Sequence, residues 1–294
     1  MTLPTPPVDP ARRAVDIGML ADRLRSVFAD PRYRPPMPPT VAMKLLELSQ
    51  RGEVDPGEVA VLFSQDPLLA THVMRIARSP LYGGVAVPTV RDAVIRLGTR
   101  RMQRIVFEAA LDMRVFRSAV YGPWMDRIRR HSVAVGHVAA HLAQTYSVNV
   151  DQAFIAGLVH DVGSAAILAA VGERSTEFAD VDSSALTEGL AAVHIEAGAL
   201  IAKTWDLKGD TRLVISGHHN VTVTHHPLLA VVVVAEAMAL EAGFDVTSGG
   251  LVLDPLVASD LEQAHRTLHI DVERAAELSR EMAPLFELLG TVSA

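Results

Sequence analysis

The stretch Phe154–Gly163, FIAGLVHDVG, constrains this chain more than any other. An almost unbroken apolar run brings an adjacent histidine and aspartate, His160–Asp161, to one end of a segment that has to be buried. An imidazole and a carboxylate are expensive to bury unless something pairs with them. A metal ion satisfies both. Asp151 in the N-cap position and Gly163 just beyond the doublet predict a helix from Asp151 to Val159 that Gly163 stops.

The chain has no cysteine, which excludes disulfides, thiolate metal sites and a thiol nucleophile. Histidine, aspartate and glutamate are left as ligands, and there are twelve histidines. With 294 residues, 49% of them hydrophobic, the chain can bury a large core without covalent staples. Its formal charge of −7 argues against wholesale nucleic-acid binding. MTLPTPPVDPARR lacks the apolar centre of a signal peptide and reads as a disordered, proline-rich tail. The longest apolar stretch, Pro227–Leu240, contains Glu236 and is too short to span a bilayer. A cytoplasmic protein with no membrane partner is the expectation.

Periodicity predicts helices throughout. They cover Val15–Phe28, a segment opened by Thr40, Asp55 to about Ser64, one opened by Asp66–Pro67, Thr89 or Val90 to Leu97, and Arg100–Val115. Further helices are predicted over Trp124–Tyr146, Leu186–Lys203, Asp210–His219, Pro227–Ala242, Asp260–Leu268 and Val272–Leu289. Ile105, Val106, Ala109 and Leu111 form a core-facing stripe. Only VTVTH at 221–225 and the valines 231–234 resemble strand, and the AEAMALEA beside those valines favours helix. The fold class is all-α. The expected organisation is a disordered tail at 1–14, an N-terminal helical part at 15–120, a histidine-bearing helical subdomain at 121–245 and C-terminal helices at 246–294.

The segments PPMPPTVAMKLLEL, FSQDPLLATHVMRIARSPLYGG, VPTVRDAVIRLGTRRMQRIV, RHSVAVGHVAAHLA, FIAGLVHDVG and ISGHHN occur in that order. Together, over roughly Pro35 to Ala242, they resemble an HDOD domain, with RIARSPLYGG and the later RLG the most distinctive parts. The resemblance implies a multi-helix bundle of the HD type, with a helical N-terminal subdomain packed on an HD-like one. It also implies a bacterial signal-transduction or regulatory module. HDOD domains are similar to metal-dependent phosphohydrolases and to HD-GYP cyclic-di-GMP phosphodiesterases, but have no established catalysis.

The resemblance further implies a ligand set. His131 fits the histidine on the helix before the doublet, His160–Asp161 is the doublet, His194 with Gly198 fits a later H-x-x-x-G turn, and His218–His219 fits a paired HH. Glu236 stands where the pattern carries an aspartate. Such donors suit Fe, Mn or Zn, as one ion or two sharing Asp161. Two departures weaken an enzymatic reading. Ser164 replaces the lysine of a phosphohydrolase-like HDxGK run, and losing one charge-stabilising donor typically costs on the order of a hundredfold in rate. The GYP signature is also missing.

Other polar residues have plainer readings. His137 lies about 120° around the helix from His131, and both it and His141 are predicted to face solvent. His225 and His226, before Pro227, suit turn or capping roles. Arg100, Arg101 and Arg104, with Arg96 before them and Arg127, Arg129 and Arg130 further on, can attract an anionic nucleotide or an acidic partner. The alternative is a solvated face balanced by the chain's acids. No aromatic residues interleave the arginines, which counts against single-stranded nucleic acid.

Three readings result. One is a regulatory module whose pocket binds metal or a small anion while its surface recruits signalling proteins. The second is a metal-dependent phosphohydrolase acting on a nucleotide or cyclic dinucleotide. The third is a metal-free docking module. The missing lysine places the first ahead of the second, and the retained histidines place it ahead of the third. Partner, metal and oligomeric state, a homo-oligomer included, stay open.

Overall fold

The computed structural model describes residues 10–49, 55, 57–58, 61, 66–84, 87–207, 209–219, 225–246 and 258–292. Regular structure among the described residues is helical throughout, with no strand. The helices are α1 (Pro10–Ala29), α2 (Thr40–Ser49), α3 (Pro67–Ala77), α4 (Val90–Leu97), α5 (Thr99–Arg114), α6 (Gly122–Thr145) and α7 (Val150–Val159). They continue as α8 (Val162–Glu173), α9 (Ser183–Thr204), α10 (Gly209–Gly217), α11 (Pro227–Glu241), α12 (Ala258–Leu268) and α13 (Val272–Val292). A short 3-10 turn, Pro80–Tyr82, stands between α3 and α4. Most of the helix expected over 55–64, the strand-like 221–224 and the Gly-rich 248–250 lie outside the described residues.

Helix starts follow the local chemistry. Asp66 accepts the Leu69 N–H at 3.0 Å with Pro67 in the first turn, and Thr89 and Asp92 form a reciprocal capping box. Each such cap stabilises its helix by about 1 kcal/mol. Three expectations need correction. Helix α1 begins at Pro10, inside the stretch read as a disordered tail at 1–14, because a first-turn proline lacks an N–H that would be unpaired anyway. Asn149, not Asp151, caps α7, its side-chain oxygen accepting the N–H groups of Asp151 at 3.1 Å and Gln152 at 3.0 Å. Gly163 does not end a helix; it lies in the first turn of α8.

Gly163 is instead a point of close approach. A Cβ there would collide with the His194 carbonyl and stand 2.6 Å from the Gly198 nitrogen, so α8 and α9 cross almost backbone to backbone. Gly136 and Gly157 do the same for α6 and α7: a Cβ on Gly157 would meet the Val135 carbonyl at 2.9 Å. These crossings seat the end of α7 and the start of α8 against the middles of α6 and α9.

The core of the histidine-bearing part is built on α6 and α7, with α11 packed against both and against α10 and α12. Met125, Ile128, Leu142, Phe154 and Leu158 are fully buried there. Helix α11, apolar on every side but for Glu236, is buried from Leu228 to Ala239, and Val231–Val234 are helical. Val150–Glu173 has the length and apolarity of a membrane-crossing segment, yet 89% of its most apolar window lies inside the bundle. The N-terminal part centres on α5, which packs on α2, α3 and α4 and reaches α7; Ile105, Val106, Ala109 and Leu111 are buried as the stripe predicts. Helix α1 lies along α9, with Leu20 and Leu24 over Gly189 and an Arg25–Glu196 ion pair at 2.9 Å. Helix α13 returns to touch the Pro80–Tyr82 turn and α6.

Candidate metal centre

Five elements contribute side chains to one neighbourhood. His131 comes from α6, His160 and Asp161 from the turn between α7 and α8, and His194 from α9. His218 and His219 follow α10, and Glu236 sits on α11. The exposures of His131, His160, Asp161, His194, His218 and Glu236 are all 5% or less.

The backbone fixes how the imidazoles point. The Nδ1–H of His131 donates to the Phe244 carbonyl at 2.8 Å and that of His160 to the Gly157 carbonyl at 2.6 Å. The Nδ1–H groups of His194 and His218 donate to the carbonyls of Ala191 at 3.0 Å and Val214 at 3.1 Å. A carbonyl oxygen can only accept, so each neutral ring carries its proton on Nδ1 and presents a lone pair at Nε2.

The consequence appears at the first pair. His131 Nε2 and His160 Nε2 are 3.2 Å apart, two lone pairs facing each other with no proton between them. That contact is repulsive unless a cation lies against both atoms. Two imidazole nitrogens about 2.0–2.1 Å from a tetrahedral zinc ion sit about 3.3 Å apart, so the spacing is that of shared ligands. Buried Nε2 atoms of His194 and His218 likewise have no hydrogen-bond partner among the described residues, a rare condition for a buried polar atom.

The donors sort into two triads, His131–His160–Glu236 and His194–His218–His219, within each of which the ligand atoms lie within 4.8 Å of one another. Glu236 Oε1 is 4.0 Å from His160 Nε2. The His160 and His218 rings, 5.1 Å apart between centroids, join the triads. Asp161 stands beside the second, its Oδ1 3.8 Å from His194 Nε2, and that oxygen accepts the Ser164 hydroxyl proton at 3.0 Å. All seven residues of the ligand set are therefore brought together.

Burial favours the neutral form of His131, His160, His218 and His219. Burial pushes the His131 pKa below its ordinary value, against the opposing pull of Asp161. Burial also holds His160 and His218 well below theirs, reinforced by neighbouring imidazoles, and lowers His219 to about 3. Neutral imidazole is the form that binds metal. The buried carboxylates Asp161 and Glu236 supply negative charge that a divalent ion can offset. Residue types, tautomers and spacing all fit a divalent metal.

Some sequence candidates lie elsewhere. His141 is exposed as expected, but His137 is not: its side chain is 11% exposed, with Nε2 3.5 Å from Glu108 Oε2 and its ring edge-on to Phe154 and Tyr82. The helical angle correctly turns it away from His131, but that side of α6 faces α5 and the Pro80–Tyr82 turn instead of water. His225 contacts Gln263, and His226 lies 3.4 Å from Asp210. Arg104 pairs with Asp151 at 3.1 Å and Arg100 approaches the same carboxylate at 3.8 Å, while Arg101 is exposed. What sequence reading missed are the carbonyls that orient the rings. Backbone acceptors carry no residue-type signal, and only the three- or four-residue spacing to His160, His194 and His218 hints at three of them.

Proteins of known sequence and structure resemble this chain. An uncharacterized protein of Treponema pallidum (strain Nichols) is 24% identical over 221 residues, 71% of this chain and 42% of that protein, so the chain spans less than half of that relative. A Shewanella amazonensis SB2B protein provisionally named a metal-dependent phosphohydrolase superposes with a TM-score of 0.71 at 21% identity, over 95% of this chain and 100% of its own. A Geobacter sulfurreducens HDOD domain protein of unknown function gives 0.70 at 22% identity, over 94% and 98%. A Marinobacter aquaeolei VT8 protein provisionally named for signal transduction gives 0.65 at 20%, over 97% and 68%. These structures share the fold. The HDOD domain model matches residues 36–221, more than half of the chain, from the connector before α2 past the His218–His219 pair. The chain belongs to the HDOD domain family.

Proposed function

We propose that this chain is a cytoplasmic bacterial signal-transduction module whose buried histidine–carboxylate centre holds one or two divalent ions, Fe, Mn or Zn, without turning over a substrate. The observation that carries the metal is the facing Nε2 pair of His131 and His160, whose Nδ1 protons are both committed to carbonyls. Two features argue against turnover. All the donors but the half-buried His219 are almost wholly buried, whereas hydrolysis needs an open ligand position and a path for a phosphoester. The neutral Ser164 hydroxyl rests on Asp161 where HDxGK runs supply a cation. In this reading the ion ties α6, α7, α9, α10 and α11 together, and the protein acts by presenting its surface to signalling partners.

A phosphohydrolase acting on a cyclic dinucleotide is the second reading. It is favoured by two adjacent triads, the arrangement that two-ion hydrolysis uses. Elemental analysis of protein purified without added metal, combined with assays on cyclic di-GMP and simple phosphoesters in Mn²⁺, separates the readings. Bound metal that His160→Ala releases, with no turnover, is the expected result. Mn²⁺-dependent hydrolysis abolished by His160→Ala would overturn the non-catalytic reading. A metal-free protein indifferent to added ions would leave only the docking module.

A further inference from the structure

Charge is distributed very unevenly along this acidic chain. Residues 66–130 hold twelve arginines against five carboxylates, and residues 131–294 hold seven basic residues against twenty-one acids. The fate of those five carboxylates decides what the arginines can do. Asp66 caps α3 and Asp92 is engaged in the capping box of α4, its Oδ2 accepting the Thr89 N–H at 3.1 Å and hydroxyl at 2.6 Å. Glu108 is buried beside His137. Asp112 pairs with Arg75 at 3.1 Å, and Asp126 with Arg129 at 2.7 Å. None is left for Arg91, Arg96 or Arg101, which are exposed and form no ion pair among the described residues.

Arg91, Ile95 and Arg96 fall within about 140° of the circumference of α4, on the side away from the buried Ala93 and Val94. Arg91 and Arg96 are on α4, and Arg96 Nη2 lies 4.0 Å from where a Cβ would stand on Gly83, at the left-handed end of the Pro80–Tyr82 turn. Arg101 is exposed in the first turn of α5, three residues beyond Gly98, the residue that ends α4 and opens α5. Between Arg91 and Arg96 on α4, Ile95 is 65% exposed, and Leu68 on the neighbouring α3 is 62% exposed. Ile95 is one helical turn from Arg91, so the two side chains lie side by side.

We infer that Arg91, Ile95 and Arg96 of α4, with Arg101 of α5, form a docking surface for another protein that presents a helix with carboxylates around an exposed apolar side chain. Guanidinium groups engage carboxylates bidentately, and an exposed aliphatic anchor ringed by unpaired charge has the composition of an interface centre. Nucleic acid fits less well, because the patch centres on an aliphatic side chain and no aromatic residue interleaves the arginines.

The test uses the full chain and fluorescence anisotropy with three probes: an acidic amphipathic helical peptide with a leucine stripe, its lysine-substituted twin, and a DNA duplex. Sedimentation velocity at low and high salt accompanies it. The acidic peptide is expected to bind and the lysine twin not to bind. The triple variant Arg91→Gln/Arg96→Gln/Arg101→Gln should weaken the acidic peptide about tenfold, and Ile95→Ser should weaken it by a comparable factor, with the circular dichroism unchanged. No binding of the acidic peptide, binding that neither variant alters, or a duplex that binds more tightly than the peptide would each overturn the inference. So would salt-sensitive self-association abolished by the triple variant, which would make a second copy of this chain the occupant.

Discussion

His160 shows how much one orientation decides. Its Nδ1–H donates to the Gly157 carbonyl one turn back, and that single bond turns its Nε2 toward His131. The same burial sets a pH dependence. His131, His160, His218 and His219 are held below the ordinary histidine pKa of about 6.5, so the unfolded chain binds more protons than the folded one as the solution is acidified. Their contribution to stability is complete above about pH 6.5 and is lost as pH falls toward the His219 value of about 3. A series of urea denaturations should therefore show the midpoint falling from pH 7 to pH 5, before most carboxylates titrate. A flat profile over that interval would show that the rings are not held neutral. At this scale the sequence was informative about residue types: seven candidate ligands could be named from pattern and resemblance. It was wrong about His137, predicted to face solvent and found packed against Glu108 and Phe154, because helical spacing gives the direction of a side chain and not what waits there.

Among the elements, α7 and α8 with the turn between them do most to place the doublet, and their glycines set the distances. Gly163 read from sequence as a helix stop, since a glycine after a helical run usually is one. Its actual role, letting α9 approach, depends on a neighbour more than thirty positions away, which local pattern cannot show. Gly163→Ala is expected to destabilise the protein by about 1–3 kcal/mol or more, because backbone, not a flexible side chain, stands in the way. Gly18→Ala, on the exposed side of α1 where a Cβ meets nothing within 4 Å, should instead stabilise by about 0.5–1 kcal/mol. Thermal melts of both variants check the pair, and equal melting points would refute the crossing. Helix identities were otherwise legible wherever capping residues flanked a periodic run, as at Asp66–Pro67 and Thr89. The one misplaced cap, Asp151 for Asn149, lies within the same turn.

For the molecule as a whole, the all-α class followed from periodicity, while the convergence of seven side chains from five elements could be read only through resemblance. Convergence in the interior has a consequence for timing. Six of the seven donors are covered this deeply and His219 is half-buried, so an ion held by His131, His160 and Glu236 would exchange at the rate of local opening and not at the rate of ligand dissociation. Isotopically labelled zinc added to the folded protein should enter over hours, and should enter quickly once mild denaturant loosens the helices; rapid uptake without denaturant would contradict the enclosure. A cation sealed in this way would be captured while the chain folds. Each molecule would then carry a lasting imprint of the ions available to the cell when it was made, whatever the cell meets afterwards.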